Sequence, residues 1–125
     1  MDNQFHLSIG VKSLTETLDF YCQVLNAKVT YRGDYANISL YGHQITLKEA
    51  PEIEVALPHL HFGINLPLDE FHQLAAYIEN NHKHWMVSDI HQLDAGSAMA
   101  RHKFYLRCPS GYLIELKGYA DLALV

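Results

Sequence analysis

The chain has little of what secreted and membrane-bound proteins rely on. Its two cysteines, Cys22 and Cys108, make neither a disulfide framework nor a metal-type pair. Cys22 falls among the apolar residues of an expected helix, where an inert buried thiol is the plain expectation, and a reducing cytoplasm fits. No apolar run approaches the length that spans a bilayer, and Met1-Asp2-Asn3-Gln4 does not read as a signal peptide. Basic charge is scarce too. Nine Lys and Arg against fourteen Asp and Glu leave a net charge of -5, which argues against nucleic acid or an anionic membrane as partner. What remains is an ordinary globular composition, 125 residues long and 49% hydrophobic, enough for one domain with a real core.

Histidine is the residue in excess, with nine copies. Two of them recur in one design. In residues 4–11, Phe5, Leu7, Ile9 and Val11 share a strand face opposite His6, Ser8 and Gly10. In residues 58–66, Leu60, Phe62, Ile64 and Leu66 oppose His59, His61, Gly63 and Asn65. An amphipathic helix follows each strand. A unit repeated with histidine at the same place suggests two half-sites facing one metal.

The rest of the chain fits two such modules. Ser13 with Glu16 reads as a capping box, and Leu14, Leu18, Tyr21 and Leu25 form a helical stripe that Asn26-Ala27 ends. Strands are expected at 28–31, 36–41 and 44–48, with turns at Gly33-Asp34 and Gly42-His43. Residues 49–57 look like a linker. The second helix spans 68–81, aligning Phe71, Leu74 or Ala75, and Ile78. Further strands are expected at 84–88, 102–107 and 112–117, separated by Asp94-Ala95-Gly96-Ser97 and Pro109-Ser110-Gly111. The expected class is α+β: βαβββ twice, forming a curved mixed sheet with a metal cleft on its concave face.

Alternation continues in the later strands. Phe104 and Leu106 oppose Lys103, Tyr105 and Arg107; Ile114 and Leu116 oppose Glu115 and Lys117; Ile45 and Leu47 oppose Gln44, Thr46 and Lys48. A sheet with helices on one face and water on the other predicts the same pattern with no function attached. Against that plain alternative stand His6, His61 and Glu115, from three strands at matching depth. Two imidazoles and a carboxylate make a divalent-metal set with positions left for water or substrate. Periodicity sets their facing; their convergence is the assumption.

These residues resemble the vicinal oxygen chelate superfamily, which includes glyoxalase I, extradiol dioxygenases, fosfomycin-modifying enzymes and bleomycin resistance proteins. The resemblance runs over residues 4–119. It is carried by His6-Leu7-Ser8-Ile9-Gly10-Val11, by Leu18-Asp19-Phe20-Tyr21 with Val24-Leu25, and by His61-Phe62-Gly63-Ile64. Its most specific part is Phe104-Tyr105, Pro109-Ser110-Gly111 and Leu113-Ile114-Glu115-Leu116. It implies that His6, His61 and Glu115 bind a divalent ion of iron, manganese, nickel or zinc, and that a homodimer turns over a small-molecule substrate. Glyoxalase I enzymes usually add a fourth ligand where this chain has Thr46, so three ligands are expected. The acid–base histidine of extradiol dioxygenases would also fall near Thr46 and is missing. Residues 92–100 lack a match to the cation and phosphonate contacts of fosfomycin-modifying enzymes. A metal-free, ligand-sequestering protein of the bleomycin resistance type is the second expectation, ranked lower because three metal residues are retained.

The other candidates have simpler readings beside the functional ones. His59 competes with His61 from one pleat away, and the loser is a substrate contact or supports a ligand. Tyr105 can donate to a substrate oxygen or simply pack on the sheet. Ser8 and Thr46 share the polar face. Lys48, Lys103, Arg107 and Lys117 can receive an anion, or stand solvated, which is the expectation for at least two of them. His43, His72, His82, His84, His91 and His102 lack metal spacing.

Overall fold

The computed structural model describes residues 3–54 and 60–124 and divides into two compact units, Met1–Ala56 with Pro109–Gly111 and Leu57–Cys108 with Tyr112–Val125. The first unit runs β1 (His6–Val11), α1 (Leu14–Leu25), β2 (Lys28–Tyr31), β3 (Tyr35–Leu40) and β4 (His43–Glu49). The second runs β5 (His61–Pro67), α2 (Leu68–Asn81), β6 (His91–Leu93), β7 (Arg101–Arg107) and β8 (Leu113–Tyr119). Each is a βαβββ module with its own four-stranded mixed sheet, in the order β1-β4-β3-β2 or β5-β8-β7-β6. The strand before each helix pairs parallel with the last strand of its module, and the other pairings are antiparallel.

The two helices start differently. Ser13 Oγ accepts the Glu16 N–H at 3.2 Å, and Glu49 Oε1 accepts the Leu14 N–H at 2.9 Å, so α1 begins with two of its orphan donors satisfied. It ends at Asn26, whose φ of 55° is one asparagine tolerates. By contrast, α2 has no side-chain cap. Its N-cap, Pro67, is the last residue of β5, and Asp69 and Glu70 in the first turn face the positive end of the helix dipole.

Each helix buries its apolar stripe on its own sheet. Tyr21, Val24 and Leu25 from α1 are buried along with Val11, Ala36, Ile38 and Leu47. In the second unit Phe71, Ala75 and Ile78 are buried with Phe104, Leu106, Ile114 and Leu116. Phe71 lies edge-on to Phe104 at 5.7 Å. A Cβ built on Gly118 would fall 2.4 Å from the Phe71 Cβ, so α2 rests on bare β8 backbone there. Truncating Phe71 to alanine would cost about 3–5 kcal/mol by the usual cavity penalty.

Three expectations need correction. Residues 84–88 are not a strand: Lys83–Trp85 form one 3-10 turn, and Met86 makes a single bridge to Leu106. The edge strand of that sheet is the three-residue β6, which pairs with Arg101–Lys103. The 58–66 strand begins at His61 instead, with residues 55–59, and therefore His59, outside the described residues. Cys22 is only half-buried, and the buried thiol is Cys108. Burial and the neighbouring Asp19 carboxylate push the Cys22 thiol up, which keeps it inert all the same.

Candidate functional site

Pairing register assembles the polar face of the second sheet. Gly63 of β5 and Tyr105 of β7 lie on either side of Glu115 in β8. One step along, Lys103 stands directly opposite Lys117, and beyond them Arg101 opposite Tyr119. Period-2 alternation turns all of these side chains to the face away from α2.

Glu115 is the centre of the arrangement and is buried, with only 8% of its side chain exposed. Its Oε1 lies 3.4 Å from His61 Nε2 and 3.7 Å from Lys117 Nζ, and its Oε2 lies 3.8 Å from Lys103 Nζ. The Tyr105 hydroxyl hydrogen-bonds the same carboxylate, and the His61 ring stands edge-on to the Tyr105 ring at 5.7 Å. Burial by itself pushes the Glu115 carboxyl up. The Tyr105 hydrogen bond and the positive field of Lys117, His61 and Lys103 outweigh it, and the group is held below the usual carboxylate range. Tyr105 moves the opposite way, since its bond to Glu115, burial and the nearby negative charge all favour the protonated phenol. The glycine opposite is required: a Cβ on Gly63 would fall 1.7 Å from the Glu115 carbonyl oxygen.

The first unit repeats the register with other side chains. His6 is exposed and pairs with Gln44, and Ser8 pairs with Thr46, which faces Asn37. His6 Nδ1 is 2.7 Å from Gln44 Oε1. With that oxygen accepting, Nδ1 carries the proton and Nε2 presents its lone pair outward. Thr46 Oγ1 donates to Asn37 Oδ1 at 2.7 Å. Lys48 is exposed on β4, and Arg107 is exposed at the last position of β7.

The structure therefore brings His61, Glu115, Tyr105, Lys103 and Lys117 together, and places His6, Ser8, Thr46 and Lys48 in the first unit. Among the described residues, no three His, Cys, Asp or Glu side chains form a metal-ligating group. The His61–Glu115 pair fits a divalent ion in kind, an imidazole nitrogen beside a carboxylate already held ionised. Among the described residues, no third His, Cys, Asp or Glu joins this pair.

Sequence reasoning missed part of the polar face. A cleft of about 420 Å³ opens there, lined by Glu115, Lys117 and Lys103 and also by Arg101. Its apolar lining comes from Leu93, Met99 and Tyr119. The signal was present in the alternation of Arg101, Lys103 and Tyr105, but the strand was expected to begin one residue too late to include Arg101.

Two βαβββ modules, one of them carrying an ionised carboxylate among an imidazole, a phenol and two ammonium groups, define a small α+β protein with a polar sheet-face site. The Glyoxalase/Bleomycin resistance protein/Dioxygenase superfamily pattern matches residues 3–116, and the chain belongs to that superfamily. A glyoxalase/bleomycin resistance protein/dioxygenase from Alicyclobacillus acidocaldarius is similar in structure, with a TM-score of 0.82 and 26% identity over 99% of this chain and 96% of that one. The fosfomycin resistance protein FosX from Listeria monocytogenes shares the fold at a TM-score of 0.77 and 17% identity, covering 98% of this chain and 97% of its own. Lactoylglutathione lyase from Agrobacterium tumefaciens shares it at a TM-score of 0.68 and 15% identity, over 94% of each chain. No curated protein sequence matches the chain. Among the described residues, no helix is long and apolar enough to cross a membrane.

Proposed function

We propose that the chain is a metal-dependent enzyme of the vicinal oxygen chelate type, acting on a small molecule through two of its oxygens. The observation that carries this reading is the 3.4 Å approach of His61 Nε2 to a buried, ionised Glu115. In this reading His61 and Glu115 hold the ion, with His6 as third ligand, in the same chain or in a second copy within a homodimer. Iron(II) suits a set of two imidazoles and one carboxylate, and manganese, nickel and zinc accept the same donors. When bound, such an ion supplies electrostatic stabilisation of negative charge developing on substrate oxygens.

The chain's own residues do the rest. Tyr105 stays protonated well into alkaline pH because Glu115 holds its hydroxyl, so it is a hydrogen-bond donor and not a base at neutral pH. Lys103 and Lys117 keep the carboxylate ionised and draw an anionic substrate toward it. Gly63 lets β5 and β8 approach so that the imidazole and the carboxylate meet. His6, oriented by Gln44, presents Nε2 for ligation. Ser8, Thr46 and Lys48 remain candidates for substrate contact from the first module, as do Arg107 and His59.

A second reading is a metal-free protein that sequesters a drug-like ligand. It is favoured by one observation: two lysines already neutralise Glu115 without an ion. Elemental analysis of protein purified without chelator separates the two readings. We expect about one divalent ion per site, falling sharply in His6→Ala, His61→Ala and Glu115→Ala. Metal content unchanged by all three substitutions would overturn the ligand assignment.

A further inference from the structure

The cleft of the second unit has a charge pattern that sheet stability does not explain. Lys103 and Lys117 are directly opposed across β7 and β8, a placement in which like charges repel. Lysines in solvated positions extend away from each other, yet these two converge on one carboxylate, Lys103 at Oε2 and Lys117 at Oε1. At 3.8 and 3.7 Å the contacts are longer than hydrogen bonds, so the ammonium donors are steered by Glu115 without being saturated by it.

Arg101 completes the row. Its Nη1 donates to Asp94 Oδ2 at 2.6 Å and lies 3.4 Å from the Met99 carbonyl oxygen, which anchors the guanidinium from one side. All three cationic side chains are only 31% exposed, half-buried in the cleft wall. Lys103 Nζ lies over the Tyr105 ring, 5.9 Å from its centre, and Lys117 Nζ over the Tyr119 ring at 5.8 Å, so each ammonium head also faces an aromatic ring. Three cations meet two carboxylates here, Glu115 and Asp94. The positive surplus grows by one if Glu115 is engaged elsewhere.

We propose that this cleft binds the anionic head of a small organic acid, a phosphonate or a carboxylate, through Lys103, Lys117 and Arg101, with a short apolar tail resting against Leu93, Met99 and Tyr119. The assignment deepens the proposed function by naming the substrate class, and it rests on that reading only for the claim that such an acid is turned over. Its binding half stands on the cleft alone. The volume of about 420 Å³ suits a molecule the size of a substituted aromatic acid.

The test is calorimetric titration of the full chain with phenylphosphonate, benzoate and benzyl alcohol, after chelator treatment and again with added divalent metal. Both acids are expected to bind the chelator-treated protein saturably and more weakly as salt rises, whereas the uncharged alcohol does not bind. If the dianion binds more tightly, the head is phosphonate-like; if the monoanion does, it is a carboxylate, and the proposal stands in both cases. The double variant Lys103→Met/Lys117→Met should lose at least about tenfold in affinity for the preferred acid. It leaves Glu115 its Tyr105 hydrogen bond and the His61 contact and keeps an apolar stem at each position, so it should fold with some loss of stability, which a thermal melt measures. Lys28→Met, on β2 of the first unit, should bind as the parent does. Equal binding of the alcohol, or parental affinity in a folded double variant, sinks the proposal. Elemental analysis of the same preparations reports on the metal separately: protein that takes up no metal yet binds the acid refutes the metalloenzyme reading and upholds this one.

Discussion

The two modules are one scaffold used twice, and position by position they differ most where the chemistry would sit. In the first, the last strand, β4, carries Thr46 between Ser8 and Asn37; in the second, the matching residue of β8 is Glu115 between Gly63 and Tyr105. The first triad is neutral and closes on itself through one hydroxyl–amide bond of 2.7 Å. The second holds a buried charge that needs a phenol, an imidazole and two lysines to stay ionised. A βαβββ module evidently folds without such a centre. The second module also brings β5 and β8 so close at this position that the Glu115 backbone leaves no room for a side chain at position 63.

The sharpest way to break the comparison is at the paired positions Gly63 and Ser8. Gly63→Ala drives a methyl into the Glu115 carbonyl and should cost about 3 kcal/mol or more, with loss of any bound metal, because the obstacle is backbone and not a flexible side chain. Ser8→Ala should stay within about 0.5 kcal/mol. Denaturant melts of both variants measure the contrast, and equal stabilities would refute the close approach of β5 to β8.

Next in size are Glu115→Gln and Thr46→Val. The first leaves two half-buried lysines facing a neutral amide and should destabilise by about 1–3 kcal/mol; the second loses one neutral hydrogen bond, about 1 kcal/mol. The pH dependence sharpens the same contrast. Glu115 binds its proton less readily folded than unfolded, so its stabilisation is complete above the ordinary carboxylate range near 4.5 and disappears as pH falls through its lowered folded value. Tyr105 has the opposite sign, with a contribution present below about pH 10 and lost as pH rises through its raised value. Stability measured across pH should therefore show an acid limb that Glu115→Gln flattens and Thr46→Val leaves alone. The smallest effect is at the helix starts. Ser13→Ala should cost about 1 kcal/mol by helix unfolding, whereas α2 has no side-chain cap to remove.

Much of this was legible because burial writes itself into period. The stripe of Phe71, Leu74 or Ala75, and Ile78 marked α2, with Ala75 the one buried, and the alternation of Phe104, Leu106, Ile114 and Leu116 put Tyr105 and Glu115 on a shared face. Alternation failed where burial does not operate. Trp85, Met86 and Val87 imitate a strand, but His82–Trp85 turn too tightly to extend, and Met86 reaches Leu106 only once. The true edge, His91–Leu93, is mostly exposed and held by backbone pairing to β7, which leaves no hydrophobic trace. The site was half legible for the same reason. Facing is a local property, so His61 and Glu115 could be matched from sequence; the 3.4 Å between them is set by the β5–β8 register. The contribution of Arg101 to the cleft depended on where β7 begins, and that boundary is fixed by its pairing with Tyr119.

The missing side chain at position 118 has a consequence for motion. With Phe71 seated on the bare peptide there, the row of Glu115, Lys117 and Tyr119 is carried by a strand keyed into the helix behind it, and that strand cannot slide without dragging the helix along. Accommodation of differently sized guests thus falls to the tips of the two ammonium stems and to Met99, in the exposed stretch that leads into β7.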